Sequence, residues 1–194
     1  MSSSDVCAAI VAGGLARRFG GRDKSRLLVD GRPIIVRQLE VLRRMTPSVA
    51  VIANDPARFA DLGVPVHADV IPGCGALGGL YTALVHARAE RVIVVACDLP
   101  FLEAGLLARL AELAETADAA WVRTARGPEP LLACYRRSAR EMIRAEIEAG
   151  RLRAGDLDRV LHIKIADEAV VSSFGPVDRL LANINTPEDH AQVQ

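Results

Sequence analysis

The chain alternates short apolar runs with longer segments of mixed periodicity. Residues 7–11 are continuously apolar, which marks a strand buried on both faces. Leu27-Leu28-Val29 predicts a brief extended piece, and Asp30-Gly31-Arg32-Pro33 a turn. From Pro33 to Met45, Ile34, Ile35, Leu39, Val41, Leu42 and Met45 recur at nearly helical spacing, with proline at the first turn. Thr46-Pro47 stops that helix. Residues 49–53 and 66–68 predict two further strands. Residues 69–79 read as a glycine-rich loop leading into a helix at about 80–87. Residues 92–96 form the most apolar strand and end in Cys97-Asp98-Leu99-Pro100. An amphipathic helix is predicted over 103–116. Strands follow over 119–123 and 131–135, around Gly127-Pro128-Glu129-Pro130, and then a helix over 138–149. Residues 157–161 read as a helical turn and 162–165 as a strand. Asn183-Ile184-Asn185 precedes a last helix, with Thr186 as N-cap, Pro187 at the first position and Asp189 at the third.

Strands alternating with helices predict the α/β class, with a mostly parallel central sheet covered by helices on both faces. Ligands in such sheets sit at the carboxyl ends of strands. The loop after Val11, then Asn54, Asp69 and Asp98, all fall at predicted strand ends. They are therefore expected on one edge of the sheet. The length of 194 residues fits one domain over 1–194.

The first of these loops carries the densest chemistry. Gly13-Gly14-Leu15-Ala16-Arg17-Arg18-Phe19-Gly20-Gly21-Arg22-Asp23-Lys24 joins four glycines to four cations directly after a strand. Such a loop turns backbone N–H groups toward one point, and the cations supply counter-charge, so it suits a polyphosphate. The chain has 22 arginines but only two lysines, Lys24 and Lys164. A lysine in this loop offers a compact point charge where arginine is otherwise the rule. A mobile, solvated basic turn is the alternative.

Asp98 is the sharpest single residue. A carboxylate at the end of so apolar a strand needs a partner or a metal. A helix cap or turn former ahead of Pro100 is one reading, and a Mg²⁺ ligand the other. Gly73-Cys74-Gly75-Ala76-Leu77-Gly78 also matches GxGxxG, with Asp98 following at the spacing of a dinucleotide fingerprint. The short polar stretch before it and Pro72 argue against that reading. The P-loop pattern fails because Asp23, not glycine, precedes Lys24.

Other classes fall away on composition. A formal net charge of zero gives no bulk electrostatic case for nucleic acid or anionic membrane. No apolar run approaches the roughly 20 residues of a membrane span, and the first residues carry no basic leader. A soluble, cytoplasmic protein is expected. Cys7, Cys74, Cys97 and Cys134 are scattered and read as reduced thiols. The four histidines lack zinc-site spacing.

Val11-Ala12-Gly13-Gly14, Arg17-Arg18-Phe19-Gly20-Gly21, Asp23-Lys24 and Gly31-Arg32-Pro33-Ile34 resemble the opening signature of the MobA family of molybdenum cofactor guanylyltransferases. The likeness continues through Asp69, Pro72 to Gly79, Cys97-Asp98-Leu99-Pro100-Phe101, Glu129-Pro130-Leu131 and Asn183 to Asp189. Related cytidylyltransferases usually have Ala-Ala-Gly where this chain has Ala12-Gly13-Gly14, so the family analogy favours guanine.

The resemblance implies a Rossmann-like nucleotidyltransferase fold, GTP and Mg²⁺, and molybdopterin as acceptor. It implies transfer of GMP with release of pyrophosphate, and hand-over to molybdoenzyme maturation proteins. Carried over by residue, it puts Val11, Ala12, Gly13, Gly14, Lys24, Asn54, Asp69, Gly78 and Asp98 at the nucleotide. Lys24, Arg18 and Asp98 take catalytic roles, with Asp98 as the metal ligand. Asn183, Asn185 and Pro130 fall on the acceptor side. Three departures stand out: Ile52 where some members have a base-contacting Asn, Phe19 where Met is more usual, and a basic segment matched only loosely by residues 150–156. A cytidylyltransferase and a non-catalytic nucleotide-binding regulator are the alternatives.

Overall fold

The computed structural model describes residues 5–12, 24–184 and 189. Its first strand, β1 (Val6–Val11), explains the unbroken apolar run: all six side chains are buried, alternately on two sides. Val6, Ala8 and Ile10 enter one core cluster, while Cys7, Ala9 and Val11 enter another. A strand must be apolar at every position when both faces are covered.

A 3₁₀ turn, Lys24–Arg26, leads to a hairpin of β2 (Leu28–Val29) and β3 (Arg32–Pro33). Asp30 and Gly31 have φ of 51° and 72°, the left-handed pair of a tight hairpin turn. The remaining elements are α1 (Ile34–Met45), β4 (Val49–Ile52), β5 (Val66–His67), α2 (Gly75–His86), β6 (Arg91–Ala96) and α3 (Ala104–Leu113). They continue with β7 (Ala119–Thr124), β8 (Gly127–Arg136), α4 (Arg140–Glu148), β9 (Ile163–Ala166), α5 (Glu168–Ser172) and α6 (Val177–Leu180).

Among the described residues the main sheet has the order β5-β4-β1-β6-β8-β7-β9. β5, β4, β1 and β6 are parallel neighbours, β8 runs against both β6 and β7, and β9 is parallel to β7. The mostly parallel sheet is thus present, with β8 its reversed member. One face carries Ile35, Leu39 and Leu42 of α1 and Leu106, Leu107 and Leu110 of α3. The other carries Leu77, Leu80 and Leu84 of α2 and Ile143 and Ile147 of α4. No helix among the described residues is long and apolar enough to cross a membrane.

Three details differ from the sequence expectation. Helix α2 begins at Gly75, whose left-handed φ of 57° opens it, rather than near residue 80, so Gly78 and Gly79 are helical. Glycine lowers helix propensity by about 1 kcal/mol per residue, but close packing requires it here. A Cβ on Gly79 would lie 2.6 Å from Cγ1 of Val11, and one on Gly78 would lie 3.0 Å from Cβ of Cys74 and 3.2 Å from the Ile71 carbonyl. β8 begins at Gly127, so Gly127-Pro128-Glu129-Pro130 belongs to the strand, not the turn. α5 and α6, of five and four residues, are additional, and the helical turn near residue 157 spans Ala154–Arg159. The last helix and its Thr186 cap lie outside the described residues, apart from Asp189.

Candidate active site

The order of strands sets the location. From β1 the chain steps outward through β4 to β5, then crosses back through α2 to β6 on the other side of β1. The switch in direction lies between the carboxyl ends of β1 and β6, where open α/β sheets hold their ligands. Both strands are in register there, with Val11 opposite Ala96, and the Cys97 N–H donates to the Val11 carbonyl at 3.1 Å. Ala12 donates to the Ile52 carbonyl at 2.8 Å, tying the same edge to β4. Ala12 therefore enters the crevice one residue from β1, and Asp98 enters it two residues from β6.

Asp98 is partly buried, and desolvation holds its carboxyl above the usual range while the Lys24 charge opposes that rise. Lys24, also partly buried, is thus electrostatically coupled to Asp98 from the 3₁₀ turn after the basic loop. Glu129, on β8, is raised first by burial and then by the charge of Asp98, with Arg126 opposing. Its position follows from strand pairing. Val95 faces Leu132 on the antiparallel β8, so continuing the register brings the start of β8 alongside the end of β6.

The next two strand ends form a second group. The Asn54 side-chain amide donates to the Asp69 carboxylate at 2.8 Å, and the Asp69 N–H donates to Oδ1 of Asn54 at 2.8 Å. Asn54 follows β4 and Asp69 follows β5, so their pairing closes the same edge farther from Asp98. The residue after Asp69 is fixed to α2, because the Val70 N–H donates to the Thr82 hydroxyl at 2.9 Å. α2 begins at this edge with no side-chain cap and no acidic residue in its first turn. The start of the helix dipole adds partial positive charge there.

On the far side, the Ile184 N–H donates to the Asp98 carbonyl at 3.1 Å. Ile184 is fully buried against Val29 and Ile34. Asn183, partly buried, is therefore held next to the Asp98 backbone. The Pro130 carbonyl accepts from the Tyr135 hydroxyl at 2.8 Å, which fixes the strand next to Glu129.

Val11, Ala12, Lys24, Asn54, Asp69, Asp98, Pro130 and Asn183 thus lie on or beside one edge of the sheet. Gly78 is buried within α2, packed on Cys74 and Ile71. Gly13, Gly14, Arg18 and Asn185 lie outside the described residues. Glu129 had no assigned role in the sequence; strand reversal places it here, which a linear reading does not convey.

Among the described residues no group of three or more His, Cys, Asp and Glu side chains could hold a metal. The two coupled carboxylates, Asp98 and Glu129, nevertheless suit Mg²⁺. That ion takes hard oxygen donors, commonly one or two carboxylates completed by substrate phosphates. The edge thus joins amide and ammonium donors for phosphates to carboxylates for a hard cation.

Known proteins resemble this chain over nearly its whole length. The model of the MobA-like NTP transferase domain matches residues 8–162. A protein of Chloroflexus aggregans named "Probable molybdenum cofactor guanylyltransferase" is 35% identical over 191 residues, covering 95% of this chain and 91% of its own. The molybdenum cofactor guanylyltransferase of Shewanella pealeana is 34% identical over 195 residues, covering 98% of this chain and 94% of its own. The crystal structure of molybdopterin-guanine dinucleotide biosynthesis protein A from Archaeoglobus fulgidus superposes with a TM-score of 0.82 at 26% identity, over 96% of this chain and 95% of that one. With its switch-point crevice, its strand order and these likenesses, the chain belongs to the MobA-like NTP transferase family.

Proposed function

We propose that this chain, acting as one nucleotidyltransferase domain, transfers GMP from GTP to the terminal phosphate of molybdopterin and releases pyrophosphate. The observation that carries the reading is the meeting of Ala12, Lys24 and Asp98 at the β1–β6 switch point, in a chain alike over nearly its whole length to proteins named for this reaction.

The chemistry needs little covalent help from the protein. An acceptor phosphate oxygen attacks the α-phosphorus, the bond to the β-phosphate oxygen breaks, and pyrophosphate leaves with that electron pair. The nucleophile is already an anion, so no activated serine or cysteine is required. The barrier is electrostatic, because an anion approaches a triphosphate, and it is lowered by positioning and charge neutralisation. Lys24, Arg18 and the N–H groups of Gly13 and Gly14 take the β- and γ-phosphates and stabilise the departing charge. Asn54 and Asp69 face the base and ribose end. Asn183, Asn185 and Pro130 border the acceptor. Asp98, with Glu129 beside it, would hold Mg²⁺. Bound there, the ion supplies neutralisation at the α-phosphate and a template for in-line geometry.

Incubation with molybdopterin and each of the four NTPs, with mass detection of product, tests the reading. The dinucleotide forms with GTP and needs a divalent cation. Product with CTP alone would replace it by the cytidylyltransferase, and nucleotide binding without product by the regulator.

A further inference from the structure

Gln38 is out of place on its helix. It lies on the apolar face of α1, between Ile35 and Leu39 and Leu42, and is fully buried. Its Nε2 donates two hydrogen bonds, to the Ala96 carbonyl at 2.7 Å and to the Leu99 carbonyl at 2.8 Å. Those carbonyls bracket Cys97 and Asp98. One amide, reaching across from an element about 60 residues earlier in the chain, thus closes the turn on which Asp98 stands.

Stability alone does not account for the arrangement. Among the described residues the Gln38 Oε1 finds no hydrogen-bond donor although it is buried. That oxygen bears a desolvation cost which the two donated bonds have to offset. The backbone already ties the ends of the turn, through Cys97 to Val11 and through Ile184 to Asp98. What the amide adds is a fixed separation between Ala96 and Leu99, and so a fixed course for Cys97 and Asp98 between them.

We propose that Gln38 is a positioning residue, which holds the Asp98 carboxylate in the orientation that a divalent cation requires. The inference rests on the reading of Asp98 given above. Groups that orient a metal ligand without touching the metal typically contribute 10–100-fold in affinity or activity.

The test compares Gln38→Met, which keeps length and volume but cannot donate, with Asp98→Asn. Mn²⁺ affinity is read by electron paramagnetic resonance on the nucleotide-free protein, together with the thermal midpoint and steady-state kinetics. The expected result for Gln38→Met is a folded protein with a lowered midpoint, since two carbonyls lose their donor, a Mn²⁺ affinity about tenfold weaker, and a lowered kcat with little change in KM for GTP. Unchanged Mn²⁺ affinity in Gln38→Met, with affinity lost in Asp98→Asn, overturns the role of Gln38 and leaves the site intact. Unchanged affinity in Asp98→Asn overturns the site itself. Should Gln38→Met not fold, the ¹⁵N-labelled native protein decides. The Gln38 carboxamide resonances shift when Mg²⁺ is added if the amide is coupled to the ion's carboxylate, and stay fixed if it is not.

Discussion

Asn54 and Asp69 hold each other through two hydrogen bonds of 2.8 Å, one side chain to side chain and one backbone N–H to side chain. The pair ties the ends of β4 and β5, on the side of the crevice that the proposed function gives to the nucleotide. Asn54→Ala removes both bonds at an exposed position and leaves the Asp69 carboxylate without its amide. KM for GTP is expected to rise about tenfold, equivalent to about 1.4 kcal/mol, while kcat changes little. Competition between GTP and other NTPs would show relaxed base choice.

Asp98→Asn removes one charge with almost no change in shape. The variant should fold, since the native carboxylate already bears a desolvation cost. Turnover should fall by roughly 10²–10³-fold, the usual loss when an electrostatic stabiliser is removed. Glu129→Gln should produce a smaller loss, with a higher divalent-cation concentration needed for half-maximal rate. Circular dichroism and cation titrations of rate check both.

The His67 and His86 rings stack with centroids 3.8 Å apart and an interplanar angle of 8°. Burial holds His67 below the usual histidine range, and the charges of His86 and Arg88 add to that. Between its lowered folded value and about 6.5, the unfolded chain binds more protons at His67 than the folded one. Stability therefore rises with pH through that window and is lost as pH falls through it. Melting between pH 7 and pH 5 should show this slope, and His67→Phe should flatten it.

Gly79→Ala would set a Cβ 2.6 Å from Cγ1 of Val11, between two buried elements. The overpacking should cost about 1–3 kcal/mol and lower the thermal midpoint. Val11→Ala opens the missing space, so the double variant should be more stable than the sum of the single changes predicts. A double-mutant cycle by denaturant unfolding measures the coupling.

Much of this architecture was legible because local pattern and tertiary demand coincide. The apolar runs at residues 7–11 and 92–96 are strands covered on both faces, and the spacing of Ile35, Leu39 and Leu42 is the buried stripe of α1. Asp98 stood out as a carboxylate ending such a run. The start of α2 was not legible, since Gly78 and Gly79 are dictated by Val11, Cys74 and Ile71 rather than by their neighbours in sequence. Gln38 looks like a break in an apolar stripe until the carbonyls of Ala96 and Leu99 are placed opposite it. Glu129 gains its meaning from the reversal of β8, which no local pattern encodes.

That reversal separates two halves of the crevice by construction. Where β5 and β6 end, the chain must run onward into α2 and α3, so each connection is tied to a helix. At β8 the same edge is met by the tip of a hairpin with β7, through residues 125 and 126, whose tie to the rest of the chain includes the ion pair of Arg126 with Asp178 of α6. A hairpin tip tolerates added or removed residues better than a crossover does, so the border near Glu129 and Pro130 has more room to diversify than the edge at β1 and β6.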